Sequence, residues 1–139
     1  MLASWPPPLR SRRGSLLEAN HRALGAAGEA CAARFLEERG YRVVERNVRV
    51  GGVELDLVAT RGRLVLFVEV KTRRSRAAGA PEEAVDFRKR ERLARGASAW
   101  LAAHPRVATR ARFDVIACEW DAQSGWSIRH WEGAFGVGE

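Results

Sequence analysis

The run Gly52-Val53-Glu54-Leu55-Asp56-Leu57-Val58-Ala59, followed after Thr60-Arg61-Gly62-Arg63 by Leu64-Val65-Leu66-Phe67-Val68-Glu69-Val70-Lys71, constrains this chain more than any other stretch. Both halves are dense in β-branched and aliphatic residues, and Gly62 can take the positive φ of a tight turn, so together they read as a β-hairpin. With Arg61-Gly62 as a two-residue turn, Thr60 faces Arg63, Ala59 faces Leu64, Asp56 faces Phe67 and Glu54 faces Glu69. Side chains alternate with period two along a strand. Glu54, Asp56, Glu69 and Lys71 therefore share one face of the sheet, and Leu55, Leu57, Leu64, Leu66, Val68 and Val70 share the other. The expectation depends on the turn, because a slip of one residue would send one strand's charges to the opposite face.

Gathering carboxylates in this way is costly. Opposed charges whose Cβ atoms are about 5 Å apart repel by roughly 3 kcal/mol at an effective dielectric near 20. Lys71 offsets part of this, and the remainder is relieved by a divalent cation with oxygen ligands, Mg²⁺ or Mn²⁺, or by protonation of one acid. The plainer alternative is an exposed sheet end carrying solvated charges, and the hairpin alone does not choose between them.

The chain's 139 residues suit one domain with a real core, running from about residue 21 to 135. Residues 1–20, with Trp5-Pro6-Pro7-Pro8 and Arg10, Arg12 and Arg13, read as a disordered basic tail, and 136–139 as a flexible end. No apolar run approaches the roughly 20 residues of a membrane span, and the first residues lack a secretory h-region, so a cytoplasmic protein is expected. Cys31 and Cys118 lack metal-ligand spacing and read as buried free thiols. The formal charge of +7 favours a polyanionic partner, with nucleic acid foremost and no membrane.

From His21 to Arg39 the apolar spacing is helical, with Leu24, Ala27, Cys31, Phe35 and Glu38 on one stripe, Asn20 as N-cap and Gly40 as the C′ glycine. Glu29 borders that stripe and can reach over the sheet toward the acidic cluster, with Gly25 one turn earlier permitting close approach. Otherwise it is an ordinary exposed helix acid. Tyr41 to Val50 reads as a strand with a bulge near Val43. After the hairpin, Arg73, Arg74 and Arg76 form with Lys71 a basic loop suited to a phosphate backbone. A second helix is expected from Pro81 to Ala103. Its apolar side carries Val85, Leu93, Ala97, Trp100 and Leu101, and its basic middle carries Arg88, Lys89, Arg90, Arg92 and Arg95, either a phosphate-tracking face or a solvent face. His104 caps the end of this helix. Arg112–Trp120 and Trp126–Trp131 close the pattern as a strand pair, with His130 either a satisfied histidine or a ligand. The order helix, three strands, helix, two strands implies an α/β domain whose mixed sheet is flanked by helices.

An acid, then an Asp, then Glu-x-Lys on paired strands of an α-β-β-β-α-β core resembles the PD-(D/E)xK, or restriction-endonuclease-like, superfamily. More narrowly, Gly25-x-x-Gly28-Glu29, Glu54-Leu55-Asp56-Leu57, Phe67-Val68-Glu69-Val70-Lys71-Thr72-Arg73, Arg112-Phe113-Asp114-Val115 and His130-x-x-x-Ala134-Phe135 are similar to the bacterial YraN family of endonuclease-like proteins. Two departures stand out: Val53 holds the place where that family has glycine, and the proline of the superfamily's name is absent.

The resemblance implies a metal-dependent nuclease acting on DNA, including branched or damaged DNA. Asp56 and Glu69, with the Val70 carbonyl, would hold Mg²⁺ or Mn²⁺. Lys71 would orient the attacking water and stabilise phosphoryl charge, Glu29 would complete the acidic pocket, and Glu54 would be accessory. Arg73, Arg74, Arg76 and Lys89 would meet the nucleic acid. Cutting two strands needs two sites, which makes a homodimer attractive. The competing readings are a nucleic-acid-binding module that keeps the fold without turnover, and an interaction protein whose acidic cluster is structural.

Overall fold

A computed structural model describes residues 13–74, 87–107 and 110–135. Helix α1 (Arg13–Glu38) leads into strands β1 (Arg42–Val50), β2 (Val53–Arg61) and β3 (Leu64–Arg74); helix α2 (Phe87–Ala103) then precedes β4 (Arg110–Asp121) and β5 (Gly125–Phe135). The five strands lie in sequence order, with β3 and β4 parallel and the other pairs antiparallel. Joining parallel neighbours requires a crossover, and α2 lies within it. The mixed α/β sheet expected from the element order is therefore present. The expected helix start at Pro81 and the residues Val85 and Arg76 lie outside the described residues.

The β2–β3 turn is offset from the expected one. Arg61 pairs with Leu64 and Leu57 with Val68, so the turn residues are Gly62 and Arg63. Gly62 has φ +60° and Arg63 does not share a positive φ, which places the glycine first, where a II′-type hairpin turn wants it. The resulting shift is two residues relative to Asp56 opposite Phe67. An even shift preserves the faces, so Asp56 and Glu69 still project to the same side.

The expectation of one charged and one apolar face is too simple. Both faces are core for most of their length. On one face, Leu57, Leu64, Leu66, Val68 and Val70 pack with Cys31, Leu36 and Tyr41 from α1 and its exit; on the other, Val58, Val65 and Phe67 pack with Leu93, Ala97 and Trp100 of α2. The carboxylates occupy only the end of the α2 face. Leu55 also joins the α2 cluster, although strict alternation from Leu57 places it with α1. The physical reason lies in β1. Asn47, bracketed by the pairs Arg46–Leu57 and Val48–Leu55, has a left-handed φ of 51°, and it stands across from Asp56. Asn tolerates this conformation better than most residues. Beyond it, Val48, Val50, Val53 and Leu55 all turn toward α2.

Helix α1 begins at Arg13, eight residues ahead of the expected His21, because the intervening Leu16, Leu17, Glu18 and Ala19 favour helix. Asn20 is therefore inside the helix and not its N-cap. The expected C-terminus holds: the Gly40 amide donates to Glu37 O and the Tyr41 amide to Leu36 O, the paired bonds of a Schellman motif. The buried stripe runs through Leu24, Cys31, Ala32, Ala33 and Leu36, while Glu38 is exposed. Close approach to the sheet occurs at Gly28 and not at Gly25. A Cβ on Gly28 would collide with the Thr72 side chain, whereas Gly25 has open space. Cys31 and Cys118 are buried free thiols, as expected, and the Cys118 thiol donates to Gly28 O at 3.4 Å.

The bulge near Val43 is present in the β1–β2 register. A second one interrupts β4 and β5 between Phe113 and Val115. There Asp114 is 1% exposed and accepts hydrogen bonds from the Gly133 amide at 3.0 Å and, bidentately, from Arg112 at 2.8 and 2.9 Å. Its Oδ2 also lies 2.7 Å from His130 Nε2. His130 is thus a satisfied structural histidine. His104, at the end of α2, stacks on Trp100 and sets Nδ1 2.8 Å from the Trp100 carbonyl, the expected capping contact.

Candidate metal centre

The site forms where β2 parts from β3. Ladder pairing between them reaches Leu57–Val68, one residue before Asp56. Freed from the ladder, Asp56 turns its own carboxylate to the neighbouring strand, and its Oδ2 accepts the Val70 N–H at 2.9 Å. Glu69, on β3, is 8% exposed and lies on the same face. A pocket of about 290 Å³ opens over the two acids, lined also by Glu54, Lys89, Arg49 and Arg92. Its far wall is the tip of the β1–β2 hairpin, carried toward α2 by the kink at Asn47.

Glu69 is ion-paired twice through one oxygen. Lys71 Nζ is 3.2 Å from Oε2 and Lys89 Nζ is 2.5 Å from it. Burial first, and the Glu69 charge second, push the Asp56 carboxyl up to about 7; the Val70 N–H opposes this, Glu29 adds to it, and Lys89 opposes it more weakly. Burial, reinforced by a hydrogen bond from Lys89, holds the Lys71 ammonium below the usual lysine range. Burial also works against the charge on Lys89, but its hydrogen bond to Glu69 prevails and keeps it above that range.

The structure brings Asp56, Glu69 and Lys71 together as expected, and Glu29 acts on Asp56 electrostatically from α1. Glu54 is exposed and lines the pocket rim. Arg73 is half-buried and Arg74 exposed at the end of β3. Lys89 departs from expectation: it points into the acidic cluster instead of standing on an outer phosphate-tracking face. Sequence offered no signal for this, because which residues of α2 face the sheet is settled by tertiary packing. Arg49 and Arg92 were likewise not singled out as parts of one pocket, since they lie on β1 and α2.

Among the described residues, no three acidic, histidine or cysteine side chains converge as a ready-made metal cage. This donor set does not suit Zn²⁺ or a high-coordinate Ca²⁺ cage. Two carboxylates beside an open pocket do suit Mg²⁺ or Mn²⁺, which keep several positions for water and phosphate. Asp56 is raised first by its burial and second by the neighbouring Glu69 charge, so its charged form is costly in this pocket unless a cation comes beside it.

An α-β-β-β-α-β-β order with a mixed sheet, and an Asp and a Glu-x-Lys on its parted central strands, defines a restriction-endonuclease-like core. Residues 28–118 match the uncharacterised protein family UPF0102. The chain belongs to that family, which is the YraN-type family its motifs resemble. It is 50% identical over 98 residues to a UPF0102 protein of Symbiobacterium thermophilum, covering 70% of this chain and 83% of the relative. A UPF0102 protein of Trichlorobacter lovleyi is 44% identical over 121 residues, covering 86% and 95% of the two chains. One from Beutenbergia cavernae is 54% identical over 95 residues, covering 68% and 80%. No helix among the described residues is long and apolar enough to cross a membrane.

Proposed function

We propose that this protein is a divalent-cation-dependent nuclease that hydrolyses phosphodiester bonds of DNA, branched or damaged DNA included. The observation that carries the reading is the Asp56–Glu69 pair at the strand fork, with Asp56 raised by burial and by the Glu69 charge and Lys71 beside Glu69. Asp56 and Glu69, aided by the Val70 carbonyl, would hold Mg²⁺ or Mn²⁺, which supplies Lewis-acid charge to a phosphodiester oxygen. Asp56 is fixed for this role by the Val70 N–H, which donates to its Oδ2. The depressed Lys71 ammonium sits beside Glu69, placed to orient water and to stabilise developing phosphoryl charge. Arg49 lines the same pocket, and Arg73 and Arg74 follow Lys71 on β3, as cations for the nucleic-acid backbone.

One observation favours a second reading, a nucleic-acid-binding module without turnover. Glu69 is already ion-paired to two lysines, so half of the acidic pair is neutral without a metal. Cleavage separates the two readings. With Mg²⁺ or Mn²⁺, a panel of duplex, nicked, single-stranded and four-way DNA is expected to yield product on at least one substrate. Glu69→Gln and Lys71→Met should lower the rate by about 100-fold or more. Salt-sensitive binding that survives these substitutions, with no product on any substrate, supports the binding module instead.

A further inference from the structure

We propose that Lys89 is a resident cation of the candidate metal centre: it occupies Glu69 while no metal is bound, releases it to an incoming divalent cation, and then faces the substrate's phosphate. The inference rests on the metal-centre reading and adds an internal competitor to it. Both lysines meet the same Glu69 oxygen, but only Lys89 also lines the pocket above Asp56 and Glu69. Its ammonium therefore stands in the pocket at the acids that would hold a cation. The two positive charges would lie within a few ångströms of each other, at a separation where like charges repel strongly even at a protein surface.

The two lysines also differ in freedom. Lys71 is part of β3, paired in register with Ala117 of β4, and its backbone cannot follow a moving side chain. Lys89 rises from the first described turn of α2 on a four-carbon stem, with Arg92 one turn further on and Arg49 across the pocket. An ammonium displaced from Glu69 thus joins a wall that is already basic and remains next to the pocket mouth, where a phosphodiester would lie. Removing Lys89 leaves Glu69 paired with Lys71, so the acid is not stranded.

The test is Mn²⁺ titration of the full chain without nucleic acid, following free Mn²⁺ by its electron paramagnetic resonance signal. Lys89→Met is expected to bind Mn²⁺ about tenfold more tightly than the unmodified chain, since the competing charge is gone. Lys89→Arg, which keeps the charge, is expected to stay within about twofold of the unmodified chain. Binding of a DNA duplex in Ca²⁺ is expected to weaken in Lys89→Met while its metal affinity rises, a split that a merely structural lysine would not produce. Equal or weaker Mn²⁺ binding by Lys89→Met, with binding still lost in Asp56→Asn, overturns the resident-cation proposal and leaves the metal centre standing. Mn²⁺ binding that is absent from the unmodified chain and from Lys89→Met, or indifferent to Asp56→Asn, overturns both.

Discussion

Asp114→Ala is expected to destabilise the protein by about 3–5 kcal/mol, the cost of breaking a buried ion pair from one side. In urea unfolding this would appear as a large fall in midpoint at an unchanged slope. Asp114 is 1% exposed, and its carboxylate receives Arg112 through two hydrogen bonds, the Gly133 amide through a third, and His130 Nε2 at 2.7 Å. Burial alone would push this carboxyl up. Hydrogen bonds from His130, Arg112 and Gly133 outweigh burial and hold it below the usual carboxylate range. Because the folded value is depressed, the stabilisation is complete above the unfolded value near 4 and is lost as pH falls through the folded one. Truncation leaves the Arg112 guanidinium, tied also to the Tyr41 hydroxyl, with the exposed Glu132 carboxylate 3.7 Å away in place of two short bonds to Asp114, and orphans an amide within the β4–β5 bulge. A midpoint unchanged within about 0.5 kcal/mol would show that β5 is held by its ladder alone.

The opposite result is expected at Asp56. With EDTA present, Asp56→Asn should stabilise the protein above pH 7 by about 2–4 kcal/mol, a rise in Tm of roughly 6–12 °C, while removing cleavage. The sign follows from the carboxyl being raised from near 4 in the unfolded chain to about 7 in the fold. Between those values the folded state binds more protons, so the aspartate protein loses stability as pH climbs from about 4 to about 7 and stays at the lower level beyond. Asparagine keeps an oxygen for the Val70 N–H and carries no charge to bury. At pH 4 and below the two proteins should converge. Added Mn²⁺ should restore stability to the aspartate protein alone, since a ligand binding only the native state stabilises it by mass action. Differential scanning calorimetry across pH 4–8 measures all three effects. A destabilised Asp56→Asn protein at pH 8 would mean that this carboxylate is structural.

How far these sites were legible in the sequence depends on how local their determinants are. The hairpin, the Schellman end at Gly40 and the crossover between β3 and β4 follow from short-range chemistry and element order. The Asp56–Glu69 pair survived a turn misplaced by one residue because this shifts the pairing register by two, and only odd register shifts change faces. Leu55 did not follow strict alternation, since the left-handed Asn47 on the partner strand turns the ribbon over, and one asparagine among valines and arginines gives little warning. Close helix approach at Gly28 in place of Gly25 depends on where Thr72 falls, more than 40 residues away. Asp114 lay inside a motif that resembled the family, but beside Arg112 on its own strand its partners come from β5, and Arg112 is tied in turn to Tyr41 at the exit of α1, long-range contacts that no spacing predicts. Lys89 looked like its basic neighbours on α2; only the packed helix distinguishes it, by aiming it at Glu69.

The central claim is that Asp56 and Glu69 form a divalent-cation site, and anomalous diffraction from crystals soaked in Mn²⁺ tests it most directly. The predicted result is a manganese peak between the two carboxylates, absent from Asp56→Asn crystals grown and soaked in the same way. No peak there at saturating Mn²⁺, with Glu69 still held by Lys71 and Lys89, would contradict it.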